Sequence, residues 1–282
     1  MKLLIDADSA IYKAGLSNET RKYVAMDEDG GTLAEFRYKK DIEAWVTTQE
    51  KPESILVARS REVGPLGYSI GNLKRLCNKM IAAPFPEGTE ITYQLYIQGE
   101  DNFRHDIYPD YKANRNSADK PVHTEEMLAY LRDVWGAITV DFEETDDRVS
   151  YLHYMAPKET TCIVTIDKDL KNTPGWNYNY DKEELHYVTE KEAELHFARQ
   201  LLKGDKGDNI PNLPRVGDKT AEKILPEWRD DWLDVVKAEY QKHYPDDIEW
   251  TKKLDMVGSL LWMRRAPEEI WDMEYEFKRE IK

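Results

Sequence analysis

The residues best suited to chemistry lie between positions 204 and 221, where two carboxylates precede a tight turn and the start of a helix. Asp205 and Asp208 stand three residues apart, and a turn rich in proline and glycine follows them. Carboxylate oxygens are the ligands that hard divalent cations prefer, and the first backbone N–H groups of a helix bind phosphate. The segment therefore predicts a metal ion beside a phosphate-bearing substrate. Its plain structural interpretation is a helical hairpin with a proline-rich turn.

Acidic residues also follow four of the predicted strands. The groups are Asp6 with Asp8, Glu100 with Asp101, Glu144 with Asp146 and Asp147, and Asp167 with Asp169. Any one group alone is typical of a helix cap or a turn. The carboxyl ends of parallel strands meet at one edge of a sheet, however, so we expect these side chains to converge there. Converging carboxylates repel one another and require counter-ions.

The ligand chemistry of such a cluster favours Mg²⁺ or Mn²⁺ over zinc, because it offers oxygen donors without histidine or cysteine. Two such ions about 4 Å apart are the usual arrangement for in-line attack on a phosphodiester. The acidic groups therefore predict a two-metal phosphodiesterase.

The elements that must position these residues alternate between strand and helix. Strands are predicted at 2–6, 53–58, 91–97, 137–142 and 161–166, and Asp29-Gly30-Gly31 indicates a hairpin. Hydrophobic spacing predicts helices over 70–81 and 124–135, and Thr189 with Glu192 forms a capping box that opens another. This pattern is typical of an α/β domain with a mostly parallel central sheet flanked by helices, here residues 1–190. An all-α segment, 191–282, follows.

The overall charge is unfavourable for contacts with nucleic-acid phosphates, since the net charge is −15 over 282 residues. The acidic excess gathers from residue 226 onward, whereas the segment 54–86 is basic. Acidic clusters that hold cations would also invert the local field. A solvated acidic enzyme that acts on a small molecule stays compatible with this charge.

The two cysteines, Cys77 and Cys162, lie in apolar stretches and are expected to be reduced core residues. No apolar stretch approaches the roughly 20 residues needed to span a bilayer, and the N-terminus lacks a basic segment followed by an apolar one. We therefore expect a soluble cytoplasmic protein without a membrane partner.

Five motifs resemble, in order, those of the 5′-nuclease superfamily, which includes bacterial polymerase-associated 5′→3′ exonucleases, phage 5′-exonucleases and flap endonucleases. They are LLID at 3–6, FRH with YKANR between 103 and 115, ETDD at 144–147, TIDKDL at 165–170 and the turn segment at 204–221. The resemblance extends from residue 3 to about 225. It implies a PIN-like fold with a helical arch at about 103–135. It also implies a helical DNA-binding domain, 191–282, with a helix–three-turn–helix at about 204–225.

The resemblance further implies which residues hold metal. They would be Asp6, Glu100, Glu144, Asp146, Asp147, Asp167, Asp169, Asp205 and Asp208, with Asp101 as an alternative to Glu100. Of these, Asp6, Glu144, Asp146 and Asp167 would form the tighter of two sites for Mg²⁺ or Mn²⁺. The carbonyls of residues 212–216 would hold K⁺.

Contacts with the substrate are implied for a second set of residues. Lys112 and Arg104 would contact the scissile phosphate. The DNA-binding residues would be Tyr111, Arg115, Gly217, Lys219 and Thr220. Tyr111 would stack on a terminal base, with a core tyrosine as the alternative.

The function that the resemblance implies is a metal-dependent 5′→3′ exonuclease and flap endonuclease in phage DNA replication, repair or recombination. Its products would carry 5′-phosphate and 3′-hydroxyl groups. Its substrates would be DNA 5′ ends, flaps, nicked or gapped duplexes and RNA–DNA hybrids. The chain would act as a monomer in the host cytoplasm, without a polymerase domain. Two alternatives stay open: a PIN-like ribonuclease that removes RNA primers, and a DNA-junction binder without catalysis.

Overall fold

The computed structural model describes residues 1–115 and 119–273, which form two compact units. Unit 1 comprises Met1–Ser9, Cys77–Lys120 and Leu128–Lys282, and unit 2 comprises Ala10–Leu76 and Pro121–Met127. Positions 116–118 of the predicted arch and 274–282 of the predicted helical domain lie outside the described residues. The predicted domain boundary near residue 190 stays a prediction.

The elements of the described residues are the following. The strands are β1 (Lys2–Asp6), β2 (Glu19–Met26), β3 (Thr32–Phe36), β4 (Leu56–Val63), β5 (Thr92–Gln98), β6 (Ile138–Val140), β7 (Thr161–Val164), β8 (Gly175–Asn179) and β9 (Glu184–Val188). The helices are α1 (Asp8–Leu16), α2 (Lys39–Val46), α3 (Leu66–Ile81), α4 (Arg104–Ile107), α5 (Thr124–Trp135), α6 (Thr145–Met155), α7 (Glu190–Lys203), α8 (Asp218–Ile224), α9 (Trp232–His243) and α10 (Asp247–Leu261).

Unit 1 is built on a sheet with the strand order β6-β5-β1-β7-β8-β9. Its neighbouring strands run parallel except for β8 and β9, which pair antiparallel. The central strand β1 is buried from Leu3 to Asp6, as expected of a strand covered on both faces. The predicted α/β class with a mostly parallel central sheet is confirmed. Cys77 and Cys162 are free and buried, also as predicted.

The helices α7 to α10 contribute to a hydrophobic core in the same unit. Phe197 of α7 contacts Trp232, Trp262 and Trp271, with ring centroids 6.2, 5.0 and 5.7 Å away. These aromatic contacts join α7 to α9 and to the residues that follow α10, so the helix is held from several sides.

Both ends of α7 are fixed by local sequence. At the start, the capping box forms as predicted, since the Thr189 N–H donates to Glu192 Oε2 and the Glu192 N–H donates to Thr189 Oγ1. At the end, Gly204 adopts a φ of +60°, and a Cβ there would stand 2.4 Å from the Pro211 carbonyl oxygen. Glycine is therefore required at the turn that leads into Asp205.

Unit 2 contains an antiparallel sheet with the order β3-β2-β4. The predicted hairpin is confirmed, and Asp27 Oδ1 accepts hydrogen bonds from the Asp29 and Gly31 N–H groups at its turn. β4 begins at Leu56 instead of residue 53, because Pro52–Ser54 forms a 3₁₀ turn.

The strand β8 was not predicted from the sequence, because its residues, GWNYN, include no β-branched residue and begin with glycine. Among the described residues, no helix is long and apolar enough to cross a bilayer.

Candidate metal and nucleic-acid site

The carboxyl ends of β1, β5 and β7 bring the first acidic residues together. Asp6 ends β1, is buried, and accepts a 2.9 Å hydrogen bond from the hydroxyl of Thr165, which follows β7. Asp8 accepts hydrogen bonds from the Gln98 N–H at the end of β5 (2.9 Å) and from the hydroxyl of Thr145 at the start of α6 (2.8 Å). The parallel sheet thus holds two carboxylates at one edge, where ligands bind in open α/β sheets.

Asp146, in the first turn of α6, lies near three of the other predicted ligands. Burial raises the pKa of Asp146 well above its ordinary value, and repulsion from Asp6, Asp167 and Glu144 raises it further. Burial and then repulsion from Asp8 raise the pKa of Asp6 to about 7. Carboxylates that perturb one another in this way lie close together, and their negative charge is incompletely neutralised.

Lys112 and Tyr111 lie between the carboxylates of Glu144 and Asp208. Lys112 Nζ donates to Glu144 Oε1 and stands 3.6 Å from Asp208 Oδ2. The Tyr111 hydroxyl is 2.9 Å from Glu144 Oε2 and 3.1 Å from Asp208 Oδ2. Burial alone would raise the pKa of Glu144, but Lys112 and Arg104 lower it to about 2. The pKa of Glu144 is thus lowered, whereas those of its buried neighbours Asp6 and Asp146 are raised.

The backbone of Lys112 is also unusual, since its φ is +55°. Few residues other than glycine adopt this conformation, and those that do are concentrated at functional sites. The Lys112 N–H donates to the Asp208 carbonyl at 2.9 Å, so the neighbouring loop fixes the strained position.

That loop follows α7 and carries Asp205 and Asp208. The backbones of Asp205 and Ile210 exchange two hydrogen bonds, of 3.2 and 2.7 Å, which close the loop. Arg115 donates to Asp208 Oδ1, and Lys168 Nζ donates to Asp205 Oδ2 at 2.8 Å. The predicted motifs at 103–115 and 204–221 therefore meet at Asp208.

Asp169 joins α7 to the segment after β7. Its N–H donates to Asp167 Oδ1 at 2.8 Å, and Gln200 Nε2 of α7 donates to Asp169 Oδ1 at 2.6 Å. Burial and then repulsion from Asp167 raise the pKa of Asp169 to about 7, with Asp205 adding to the effect.

The chemistry of this donor set fits hard divalent cations, because buried carboxylates with raised pKa values supply oxygen ligands and unneutralised charge. As the side chains stand in residues 1–115 and 119–273, no three His, Cys, Asp or Glu groups are placed to hold one metal ion. Lys112 bonds Glu144, and Lys168 bonds Asp205. For Glu144 and Asp205 to bind a metal ion, the ion would therefore have to displace the ammonium groups of Lys112 and Lys168.

Arg104 is a structural residue, which corrects the expectation that it contacts a phosphate. Its side chain is 0 % exposed, and it donates two hydrogen bonds to Asp147. It also donates to the carbonyls of Leu260 and Trp262 at the C-terminal end of α10. Asp147 is equally buried and bound by this guanidinium, so the expectation that it is a metal ligand is corrected as well. A buried guanidinium requires such a carboxylate partner.

The expectation that Glu100 is a metal ligand stays a prediction. Glu100 and the alternative, Asp101, are both exposed. At the end of β5 it is Gln98 that contacts the site, through the Asp8 carboxylate and through the Thr145 N–H, which donates to Gln98 Oε1.

Tyr111 is 2 % exposed and belongs to the core formed by α7 to α10. Its hydroxyl is bound to two carboxylates, and its ring is covered by protein. The expectation that it stacks on a terminal base is therefore corrected, and the core alternative is confirmed.

The predicted phosphate clamp lies at the start of α8. Gly217 is the N-cap, and Lys219 and Thr220 in the first turn are exposed. The φ of Gly217 is −120°, so its conformation does not require glycine. A Cβ there would meet no atom within 4 Å, which leaves the backbone open to an approaching group.

In the segment 212–216, a side-chain amide already donates hydrogen bonds to the carbonyls that were expected to hold K⁺. Asn212 Nδ2 donates to the Leu213 and Val216 carbonyls, each at 2.9 Å. K⁺ at these two carbonyls would have to displace the amide, so the turn as it stands does not fit the implied ion.

Site residues that the sequence reasoning did not assign are Asp8, Gln98, Thr165 and Gln200. Asp8 carried a usable signal, since it follows Asp6 by two residues and lies in the same acidic group. The other three are neutral residues whose contacts depend on the tertiary fold.

Comparison with curated proteins relates the chain to bacterial DNA polymerases. No family model matches the chain. It is 28% identical over 173 residues to "DNA polymerase I" of Geobacillus stearothermophilus, which covers 54% of this chain and 19% of that protein. It is 30% identical over 150 residues to "DNA polymerase I, thermostable" of Thermus aquaticus, which covers 45% and 17%. The chain thus matches about a fifth of the length of these relatives.

Comparison with solved structures finds proteins of T5. The T5 D15 protein co-crystallised with metal ions has a TM-score of 0.47 and 14% identity, covering 91% of this chain and 89% of that one. T5 5′-exonuclease with bound zinc has a TM-score of 0.42 and 16% identity, covering 68% and 81%. The relation to DNA polymerase I and the ordered motifs between residues 3 and 225 agree. The sequence similarity to DNA polymerase I supports the resemblance of the chain to the 5′-nuclease superfamily.

Proposed function

We propose that the chain is a metal-dependent 5′-nuclease that hydrolyses DNA phosphodiesters near 5′ ends and in flaps. The observation that carries the proposal is the convergence of Asp6, Glu144, Asp146 and Asp167 beside Lys112. Its relatives are named DNA polymerase I, which supports DNA as the substrate.

The acidic groups would hold two Mg²⁺ or Mn²⁺ ions. Asp6, Glu144, Asp146 and Asp167 would hold the first, and Asp169, Asp205 and Asp208 would shape the second. When bound, such ions activate water and neutralise the charge that develops on phosphate oxygens. The raised pKa values of Asp6, Asp146 and Asp169 support this assignment, because a cation would relieve the repulsion between these carboxylates.

Lys112 would be the protein's own electrophilic group. Its ammonium is partly exposed and is held among carboxylates, so it can turn to a phosphate oxygen once ions neutralise Glu144 and Asp208. A preorganised cation at such a position stabilises charge in the transition state. Arg115, which is 58 % exposed at its side chain, would contact a neighbouring phosphate.

The helical part of the chain, 191–282, would bind duplex DNA. Gly217, Lys219 and Thr220 at the start of α8 would face the phosphate backbone. The K⁺ site, the RNA–DNA hybrid substrate, the monomeric state, the phage origin and the cytoplasmic location stay predictions.

The test is cleavage of 5′-labelled flap, nicked and blunt DNA and of an RNA–DNA hybrid, in Mg²⁺, Mn²⁺ or EDTA. Wild type should release short 5′ products with metal and none in EDTA. Asp146→Asn should be inactive, and Lys112→Gln should lose about 10²- to 10³-fold in rate. Asp133→Asn, at an exposed acid of α5, is the matched control and should cut normally.

Two outcomes would contradict the proposal. Tight flap binding without cutting in either metal would indicate a junction binder. Cleavage confined to the RNA strand of the hybrid would indicate a ribonuclease.

A further inference from the structure

Unit 2 contains none of the candidate site residues, yet its sheet carries a row of aromatic and basic side chains. Tyr23 of β2 is paired in register with Phe36 of β3 on one side and with Arg59 of β4 on the other. Directly opposed residues project from the same face of a sheet. Phe36, Tyr23 and Arg59 therefore form one continuous row across the three strands.

The helix α2 covers one end of this row and leaves the other open. Trp45 of α2 packs on Phe36, with ring centroids 5.9 Å apart. At the β4 end, a groove of about 490 Å³ is lined by Tyr23, Val57 and Arg59 of the sheet and by Lys39, Glu43 and Val46 of α2. The groove thus has an aromatic and aliphatic lining with a cation on each wall.

The charges around the groove favour an anionic ligand. The Arg59 guanidinium lies 5.7 Å from the centre of the Tyr23 ring. Glu43, the acidic residue among those that line the groove, forms an ion pair with Lys39 at 3.2 Å, so the lining carries two cations against one carboxylate. Outside the groove lining, Arg37 and Lys40 lie over the ring of Tyr38, which is 53 % exposed.

The balance of positive and negative charge in unit 2 differs from that of the whole chain. Unit 2 carries 11 Lys and Arg against 12 Asp and Glu, whereas the whole chain has a net charge of −15. A nearly neutral unit repels a polyanion less than a strongly acidic one does, so long-range repulsion opposes the two cations of the groove less.

We propose that this groove binds single-stranded nucleic acid, with a base against Tyr23 and phosphates beside Arg59 and Lys39. Aromatic rings next to a basic groove are the usual means of binding single strands without sequence preference. An apolar peptide would use the aliphatic lining but would bring no negative charge to a groove with two cations and one carboxylate in its lining. The inference goes beyond cleavage at 5′ ends, because it assigns a nucleic-acid contact to a separate part of the chain.

The test is fluorescence anisotropy of labelled oligothymidylate with the full chain in EDTA, which prevents cleavage by a metal-dependent activity. Tyr23→Ala should weaken binding about 5- to 150-fold, the range expected when one base no longer stacks. Tyr23→Phe should restore it, since the ring is kept. Arg59→Gln should lower the slope of log affinity against log salt by about 0.7 for each phosphate that the side chain no longer neutralises.

The matched control is Tyr68→Ala, which removes a 69 % exposed tyrosine of unit 2 outside the groove and should leave binding unchanged. Ultraviolet crosslinking should attach the oligonucleotide to the peptide that contains Tyr23. Equal affinity of wild type and Tyr23→Ala, or crosslinks confined to unit 1, would overturn the inference.

These results are independent of the proposed nuclease. A chain that binds oligothymidylate through Tyr23 but cuts no DNA would retain the inference and refute the nuclease. A chain that cuts DNA but binds equally well without Tyr23 would do the reverse.

Discussion

Replacement of Arg104 should destabilise the fold, because the guanidinium neutralises a buried carboxylate and caps a helix. Arg104 and Asp147 are both 0 % exposed and share two hydrogen bonds, and two carbonyls at the end of α10 depend on the same side chain. Removing one partner of a buried pair costs about 3–5 kcal/mol. The Arg264 N–H lies 3.4 Å from Asp147 and replaces little of the charge compensation that Arg104 gives. The free energy of unfolding of Arg104→Gln should therefore be lower than that of wild type by an amount within this range.

The assay is urea unfolding in EDTA, followed by tryptophan fluorescence, with cleavage measured on the same preparations. The double variant Arg104→Met/Asp147→Leu removes both charges and should recover part of the stability that Arg104→Gln lacks. A matched control is Arg132→Gln, at an exposed position on α5, whose midpoint should equal that of wild type.

The opposite pattern would refute this reasoning. If Arg104→Gln has the urea midpoint of wild type but cuts DNA poorly, Arg104 acts on the substrate in spite of its burial. A double variant no more stable than Arg104→Gln would also contradict the pairing of Arg104 with Asp147. The loss of stability in Arg104→Gln would then not come from an unpaired Asp147 carboxylate.

Further predictions concern the carboxylates and the turn after α7. Asp146→Asn should raise the urea midpoint in EDTA while abolishing cleavage, because it removes a carboxylate that its neighbours repel; a lower midpoint would contradict this. In EDTA, the stability due to Asp6 and Asp169 should be fully present below about pH 4 and lost as the pH rises through about 7, since their folded pKa values are raised. Urea midpoints from pH 4 to 8 would show no such fall if these carboxyls were unperturbed. Asn212→Gly should make duplex binding depend on K⁺ at constant ionic strength, because the amide no longer bonds the Leu213 and Val216 carbonyls. Equal binding in K⁺ and Na⁺ would contradict the displacement argument.

The sheet edge could be predicted because it follows from local patterns. Apolar runs such as 2–6 and 161–166 specify buried parallel strands, and parallel strands place their carboxyl ends together. Acids that directly follow these strands, such as Asp6, therefore had to converge. The start of α7 was predictable for a similar reason, since Thr189 and Glu192 cap their own helix.

The internal pairing of charges could not be predicted from local patterns. Arg104 bonds the Leu260 carbonyl, which lies 156 positions away, and no spacing rule connects the two. Asp146 and Asp147 are adjacent, yet one lies among the site's carboxylates and the other binds Arg104. Likewise, the motif around Tyr111 contains no signal that its ring packs in the core of α7 to α10. Tertiary burial decided each of these roles.

The proposed nuclease activity requires the acidic residues of the site to bind divalent ions, and Mn²⁺ binding followed by electron paramagnetic resonance tests this directly. Titration of the full chain should show two bound ions in wild type, tighter as the pH rises through about 7, because protons compete for Asp6 and Asp169. The double variant Asp146→Asn/Asp167→Asn should lose the tighter ion and keep its fold by circular dichroism. Wild type that binds no Mn²⁺ at pH 8, or the double variant binding as wild type does, would contradict the account.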